Sequence, residues 1–262
     1  MSGGAGSGRA DVRRMHLAVE LPGNGWADGD GPRPDFDAYV RLARTAERGL
    51  FDFLLVAEGG IEPVTVLNAL AAVTDRIGLA VAATSAAREP YELARRIAAL
   101  GQLSSGRAGG PSLVVPEFTV PRSPQGRPVV IQTADDEAAE VVILAGARGS
   151  ARSAAKVLLR IAWAPDGTDS GSAGPTTASA EHEAGAQVFT GAARSLAARL
   201  DSLVQSGAVD GFVLVPGPGG RGLDLFVDGV VPLLQERGSL RTAYRGTTLR
   251  EHLGLPRPAW KA

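Results

Sequence analysis

The sequence predicts an α/β fold in which parallel strands form a barrel of the TIM type, incomplete or shortened, with about seven to eight strands. Short apolar runs alternate with segments that carry apolar residues at helical spacing, a pattern typical of parallel strands joined by crossover helices. Three such strand–helix units follow one another between residues 15 and 103. The length of 262 residues fits one such barrel. An open, doubly wound sheet is the alternative.

The first half of the chain contains the three clear units. Each predicted strand is a short apolar run, and each predicted helix has one apolar face. Gly49 is typical of a helix end, and Pro63 of a first helical turn, where a missing N–H costs nothing. The predicted strands are Met15–Leu21, Phe51–Ala57 and Ile77–Thr84, and the predicted helices are Phe36–Gly49, Glu62–Arg76 and Pro90–Leu103.

The second half is less regular. Residues 106–128 are rich in Gly and Pro and contain only a weak strand, Ser112–Val115, so the fourth unit is the deficient one. Residues 166–186 are small and polar, which predicts a mobile loop. The remaining predicted strands are Pro128–Thr133, Val141–Ala147, Leu159–Ala164 and Val209–Val215, and the remaining helices are Ala151–Leu159, Thr190–Ser206 and Leu223–Arg237.

These elements predict one domain. Residues 1–12 are expected to form a flexible tail, residues 13–238 the barrel, and residues 239–262 a polar tail that wraps its outside.

Composition narrows the possible functions. With 27 basic and 28 acidic residues, no broad basic face is expected, which argues against nucleic-acid binding. The chain has no cysteine and three histidines, so thiolate chemistry is excluded and no metal site is predicted. No apolar run approaches the roughly 20 residues of a membrane helix, so we expect a soluble, cytoplasmic protein without membrane partners.

Four segments carry a family resemblance, in order along the chain. They are Tyr39–Glu58, Glu89–Gly109, Pro121–Gln132 and Ala208–Pro258. They resemble the luciferase-like, flavin-dependent monooxygenases, specifically the branch with nitrilotriacetate and dibenzothiophene-sulfone monooxygenases. The resemblance implies reduced FMN lying across the mouth of the barrel and O2-dependent oxygenation of a small organic substrate. It also implies a homodimer and, for an active enzyme, a separate flavin reductase.

Three departures from that family stand out. After Gly109 the relatives continue into a fourth strand, a helix and a long insertion, whereas here Gly110-Pro111 follows, which predicts a deletion. Histidines that precede a tryptophan after the first strand in the relatives are missing, although Trp26 is kept. The loop after the fifth strand, which holds the flavin phosphate in the relatives, has lost its glycines and its serine.

That loop predicts a degraded flavin site. Ala134 and Ala139 stand where the family has glycines, and Asp136 stands where it has the serine, in a run of three carboxylates. The doubly charged phosphate would meet like charges, which cost on the order of 1 kcal/mol per pair at ~4 Å in water and several times that near a protein surface. In structural terms, we interpret these carboxylates as acids that complement the dipole of a following helix.

The resemblance implies site residues but no catalytic residue. The cofactor contacts would be Glu58, Thr84, Ser85, Gln132, Thr133 and Asp136, and the substrate pocket would be Asn24, Trp26 and Tyr91. Capping, helix-dipole and packing roles are the structural alternatives for these residues. His16 is expected to be a satisfied residue of the core or of the barrel base, and His252 to lie in a surface tail without a catalytic role.

Three functional hypotheses follow. The first is a luciferase-like homologue with a degraded flavin site that does not catalyse the family reaction. The alternative is an active, flavin-dependent monooxygenase with an altered FMN pocket. A third hypothesis is an enzyme with another cofactor or none.

Overall fold

The computed structural model of the protein describes residues 12–21, 36–57, 61–82, 90–113, 122–133, 137–145, 155–165, 185–217, 220 and 222–258. Its strands are parallel throughout, and eight of the nine described strands close into a barrel. The strands are β1 (His16–Leu21), β2 (Phe53–Val56), β3 (Gly78–Val81), β4 (Ala108–Gly110), β5 (Val129–Gln132), β6 (Val141–Leu144), β7 (Lys156–Ala164), β8 (Gln187–Thr190) and β9 (Gly211–Leu214).

The barrel runs in chain order from β1 to β7 and is closed by β9, which lies between β7 and β1. The barrel prediction is therefore confirmed, and the open sheet is wrong. The short strand β8 lies outside the ring and pairs with the carboxyl half of β7, where Ile161 is opposite Gln187. It was not predicted from the sequence.

The fourth strand is present but very short. It is Ala108–Gly110, and residues 111–113 are not in a strand, so the predicted strand at Ser112–Val115 is wrong for its described part and the fourth strand is not deleted. Glycine explains how so short a strand closes the ring. A Cβ on Gly109 would lie 2.9 Å from Ile131 Cδ1 and 3.3 Å from Ala80 Cβ, so the neighbouring strands approach closely over it.

Helices cover only part of the barrel. Among the described residues, α1, α2 and α3 follow β1, β2 and β3, and the later helices flank β9, but the described parts of the connections from β4 to β7 contain no helix. The helices are α1 (Phe36–Arg48), α2 (Pro63–Ala71), α3 (Pro90–Leu103), α4 (Ala193–Gln205), α5 (Leu223–Leu225), a π-helical turn (Phe226–Val230), α6 (Val231–Glu236) and α7 (Leu249–His252).

One predicted helix is wrong. Residues 156–159 of the predicted helix Ala151–Leu159 belong to β7, while residues 151–154 lie outside the described residues. β7 has partners on both sides, since Leu158 is opposite Ile143 of β6 and Gly211 of β9. Ladder hydrogen bonds on two sides outweigh the helix propensity of a segment rich in Ala and Leu.

Two apolar layers hold the fold together. One lies between the strands and the surrounding helices. The other fills the interior of the barrel with alternate strand residues, because successive side chains of a strand point to opposite faces. Leu249 and Leu253, which follow the last strand, join this interior layer at the amino ends of the strands. We call that end the base and the opposite end, where the strands finish, the mouth.

No helix among the described residues has both the length and the apolar character to cross a lipid bilayer.

Candidate binding site at the barrel mouth

The mouth is the end of the barrel at which (β/α) enzymes bind and transform their ligands. The resemblance assigns nine residues to a site. Six of the nine lie outside the described residues: Asn24, Trp26, Glu58, Thr84, Ser85 and Asp136. Their roles stay predictions.

The other three are described, and they do not form one cluster facing the interior. Gln132 is the last residue of β5, and it alternates with Ile131, which faces the barrel interior, so its side chain lies on the outer face. Thr133 follows directly and is exposed. Tyr91 is the second residue of α3, at the mouth end of that helix, with 41% of its surface exposed.

A buried ion pair faces the interior of the barrel just below the mouth. Glu20 of β1 and Arg160 of β7 have the same alternation as Ala18 and Leu158, which belong to the interior layer. The Arg160 Nε atom lies 2.9 Å from Glu20 Oε2, and Arg160 Nη2 donates a hydrogen bond of 3.0 Å to Glu20 Oε1. The Nη2 contact is a hydrogen bond, whereas the Nε contact is an ion pair whose geometry is not that of a hydrogen bond.

The pair spans β9, which lies between the strands that carry it. Glu20 has Leu55 of β2 as its backbone neighbour, and Arg160 has Val213 of β9. The guanidinium lies close to the segment between β7 and β8, because a Cβ on Gly185 would lie 3.6 Å from Arg160 Nη1. The side chains are only 10% and 17% exposed.

Burial and the neighbouring Arg160 have opposite effects on the pKa of Glu20. Burial raises the pKa of Glu20 above its ordinary value, and the charge and hydrogen bond of Arg160 lower it less than burial raises it. Glu20 therefore gives up its charge more readily than a surface glutamate does.

Sequence reasoning missed this pair, although a signal was present. Glu20 and Arg160 each interrupt an otherwise apolar strand, at positions that alternate with interior residues. A charge inside a buried strand needs a partner, and two opposite charges near the carboxyl ends of two barrel strands are candidates to meet.

The connection after β5 differs from the sequence-based expectation. The carboxylates at 135–137 were interpreted as the start of a helix, but residues 137–140 form a turn and β6 begins at Val141. Only eight residues separate Gln132 from Val141. No helix follows in the described part of this connection, so that interpretation is wrong.

A second buried polar cluster lies at the base. The ring of His16 is 3.2 Å from Asp52 Oδ1, the Leu17 N–H donates to Asp52 Oδ2 at 2.9 Å, and Arg241 also pairs with Asp52. Burial alone would raise the pKa of Asp52, but the charges of Arg241 and His16 and these hydrogen bonds together lower it to about 2. The expected position of His16 at the base is confirmed.

His252 is part of this base and not of an exposed tail, so its predicted surface position is wrong. It is 5% exposed, and its ring lies 4.8 Å from that of Tyr244. Burial lowers the pKa of His252 to about 4, so the ring is neutral near pH 7. The base of a (β/α) barrel serves stability, and we assign this cluster a structural role.

Comparison with known proteins connects this geometry to one family. The model of a family described as luciferase-like monooxygenase matches residues 15–109. N-acetyl-S-(2-succino)cysteine monooxygenase of Bacillus subtilis (strain 168) is 24% identical, over 94% of this chain and 98% of its own length. Dibenzothiophene-sulfone monooxygenase of Rhodococcus erythropolis is 46% identical over 70 residues, which are 27% of this chain and 16% of that protein.

The solved structure of EDTA monooxygenase from Chelativorans sp. BNC1 has the same fold, with a TM-score of 0.71 and 21% identity over 94% of this chain and 99% of that one. The alignment with the Bacillus protein extends over 430 positions, whereas this chain has 262 residues. Long stretches of that relative therefore have no counterpart here.

Proposed function

We propose that the chain, which is similar to the luciferase-like monooxygenases, keeps the family's barrel but binds FMN too weakly to perform the family's reaction. It is then a homologue with a degraded flavin site and without monooxygenase turnover. A flavin cofactor is the family's expectation, so the proposal depends on how well the residues present fit its phosphate.

The main support for this proposal comes from the connection between β5 and β6. A helix that begins after a strand offers free N–H groups and the positive end of its dipole to a phosphate. Here the eight residues after Gln132 lead to Val141, and their described part is a turn. The described part of the connection offers the phosphate no helix start, so we infer that these residues fit that group poorly.

Charge adds to this misfit. The same connection contains Asp135, Asp136 and Glu137, and the described Glu137 is exposed to solvent. Repulsion between these carboxylates and a dianion, together with a lost serine hydrogen bond of about 1 kcal/mol, sums to several kcal/mol. Since each ~1.4 kcal/mol is a factor of ten, FMN binding should weaken a hundredfold or more.

Titration with FMN tests the proposal. We expect no saturable change in flavin absorbance between 350 and 500 nm, or in flavin fluorescence, up to ~1 mM FMN. The double variant Ala134→Gly/Asp136→Ser removes one repulsive charge and restores one glycine, and it should bind FMN about tenfold more tightly than the unmodified chain.

Glu236→Ser is the matched control for this experiment. It removes one carboxylate from the exposed end of α6, far along the chain from the β5–β6 connection, and should leave FMN affinity unchanged. Wild-type binding tighter than ~10 μM would contradict the proposal. So would an equal gain in affinity for the control and the double variant.

An active monooxygenase with an altered FMN pocket is the second candidate, and one observation favours it. The shortened chain still closes all eight strands, and it keeps a buried polar pair below the mouth. Under this alternative, the chain mixed with a flavin reductase, NADH, FMN and O2 would place one oxygen atom of O2 in an added organic substrate and the other in water. The first proposal expects no oxygenated product.

A further inference from the structure

The segment after α6 closes the base of the barrel. It covers residues 239–258 and includes α7. Leu249 and Leu253 of this segment belong to the interior layer, and a Cβ on Gly78 of β3 would lie 2.6 Å from Leu249 Cδ1. The segment therefore fills the space between the amino ends of the strands, and we call residues 239–258 the base plug.

Polar contacts fasten the base plug to the barrel at several points. Arg241 pairs with Asp52, and the Tyr244 hydroxyl donates a hydrogen bond of 2.7 Å to a backbone carbonyl at the start of β2. Farther along the plug, Arg250 pairs with Glu140 at 2.6 Å. The plug is therefore held by ion pairs and hydrogen bonds as well as by apolar packing.

The ring of His252 lies inside the base plug without hydrogen bonds. The residue is 5% exposed, and neither ring nitrogen has a hydrogen-bond partner among the described residues. The backbone of Gly246 lies near the ring and favours its charged form, but no contact there has hydrogen-bond geometry. An imidazolium needs acceptors for two N–H groups as well as compensation for its charge. The closed plug therefore accommodates the neutral ring and disfavours the charged one, and burial accordingly lowers the pKa of His252.

The groups around His252 keep their own charge state at mildly acidic pH. Asp52 attracts a charged ring and Arg241 repels it, while Tyr244 packs against the ring and Glu251 precedes it on α7. Burial raises the pKa of Asp52, but its cationic partners and hydrogen bonds lower it to about 2. Backbone hydrogen bonds lower the pKa of Glu251, and burial raises that of Tyr244. Acidification to pH 4.5 therefore acts on His252 before it acts on these neighbours.

Two other groups at the base take up protons without loosening the plug. His16 lies 3.2 Å from Asp52, so a proton on His16 adds attraction within that pair. Glu140 holds Arg250 of the plug. Burial raises the pKa of Glu140, but its hydrogen bonds and the neighbouring arginines lower it below its ordinary value, so this contact persists at pH 4.5.

We propose that the base plug is an acid-sensitive closure, in which a proton taken up from solvent by His252 releases residues 244–255 from the amino ends of the strands while the barrel stays folded. The released segment removes Leu249 and Leu253 from the interior layer, which opens the barrel interior to water at the base. This inference goes beyond the weak FMN binding proposed above and does not depend on it, because the plug and the β5–β6 connection lie at opposite ends of the barrel.

Hydrogen exchange measured by mass spectrometry on the full chain tests the proposal. The backbone N–H groups of His252, Leu253 and Leu255 make hydrogen bonds within the plug, so they report on its closure, and those of β2 and β9 report on the barrel. A released ring has its ordinary pKa of 6.5 and takes up the proton first as pH falls. After correction for the intrinsic exchange rate, we expect protection of the plug to fall at least tenfold between pH 7 and 4.5. At pH 4.5 the plug should then be at least tenfold less protected than the two strands.

Variants assign the effect to one ring. His252→Phe keeps an aromatic ring beside Tyr244, and His252→Leu is a second uncharged replacement in case the first does not fold. In a folded variant of either kind, protection of the plug should agree within about twofold between pH 7 and 4.5. His16→Asn is the matched control, because it removes the other histidine of the base and keeps a donor for Asp52. It should lose protection of the plug as the wild type does.

Several results would overturn the proposal. One is protection of the wild-type plug that is unchanged between pH 7 and 4.5. Another is equal protection of the plug and the strands at pH 4.5, because the molecule then opens as one unit. A folded His252→Phe or His252→Leu variant that loses protection like the wild type contradicts it as well, and so does a His16→Asn variant that keeps it. The FMN titration reports on the mouth, so the two proposals can fail independently.

Discussion

At the scale of single residues, Glu140 is held by two arginines in very different surroundings. Arg250 makes a two-pronged pair with it, at 2.6 Å and 3.1 Å, and the Arg250 side chain is only 3% exposed. Arg127 also lies 3.1 Å from Glu140, but its side chain is 50% exposed. Glu140 additionally accepts the Val130 N–H, so one carboxylate joins the segment after β9 to the start of β5.

The two arginines give a matched pair of predictions. Arg250→Met leaves a partly buried carboxylate without its buried partner and should lower the free energy of unfolding by about 3 kcal/mol. Arg127→Met removes an exposed ion pair and should cost less than about 1 kcal/mol. Urea denaturation measures both. Equal losses for the two variants would show that burial does not distinguish these contacts.

The location of a single residue could be predicted from sequence where its position in a strand determined which part of the barrel it faces. His16 begins an apolar run, so its place at the base followed from alternation. The burial of His252 was not predicted, because a short polar tail gives no periodicity from which burial can be inferred. Its neighbours include Tyr244 and Arg241. The Glu20–Arg160 pair joins residues 140 positions apart, a separation that local patterns do not span.

At the scale of elements, β4 is the least usual part of the barrel. Its three residues, Ala108, Gly109 and Gly110, are all buried, and they pair with β3 and β5 on either side. The two glycines face different layers. Gly109 faces the interior near Ile131, and Gly110 faces Ile97 of α3.

This difference predicts different costs of adding one methyl group. In Gly109→Ala the new Cβ meets Ile131 at 2.9 Å, Leu249 at 3.2 Å and Ala80 at 3.3 Å, so the filled interior must expand, at about 1–3 kcal/mol. In Gly110→Ala it meets only the Cδ1 tip of Ile97 closely, at 2.8 Å, and that side chain can rotate, so we expect less than about 1 kcal/mol. Chemical denaturation of both variants measures the two losses in the free energy of unfolding. A Gly110 variant that loses more stability than the Gly109 variant would contradict this packing.

Element prediction succeeded where each strand was followed by its own helix. Apolar spacing alone located the first three strand–helix units, including the helix Pro90–Leu103. It failed between β4 and β7, where crossovers are short and the described parts contain no helix. β4 has two glycines and no apolar pattern from which a strand could be predicted. The start of β7 was predicted as a helix, because its Ala and Leu residues fit both the helical period of 3.6 residues and the strand period of two.

At the scale of the whole molecule, the base ties distant parts of the chain together through two buried titratable groups. His252 has a pKa of about 4 in the folded protein, below its ordinary 6.5, so the unfolded chain takes up the proton first as pH falls. Its contribution to stability is complete above pH 6.5 and is lost towards pH 4. Asp52, lowered from 3.8 to about 2, loses its contribution below pH 3.8.

The pH dependence of stability tests this arrangement. We expect the free energy of unfolding of the wild type to fall by up to about 3 kcal/mol between pH 6.5 and 4, and by up to about 2 kcal/mol more below pH 3.8. His252→Phe keeps an aromatic ring against Tyr244 and should remove the first loss but not the second. Urea titrations at a series of pH values measure both. A variant with the wild-type slope above pH 4 would contradict the assignment to His252.

The predicted homodimer and the predicted domain limits stay predictions at this scale. Residues 1–11 and 166–184 lie outside the described residues, so the expected flexible tail and most of the expected mobile loop are not described.

The position of β9 between β7 and β1 also affects how the protein is made. β1 is synthesised well before its second neighbour, which is Gly211–Leu214. At roughly 5–20 residues per second, the hydrogen-bonding edge of β1 waits on the order of ten to forty seconds for that partner. During translation the nascent barrel therefore has an open seam, and factors that bind nascent chains have their opportunity in this interval.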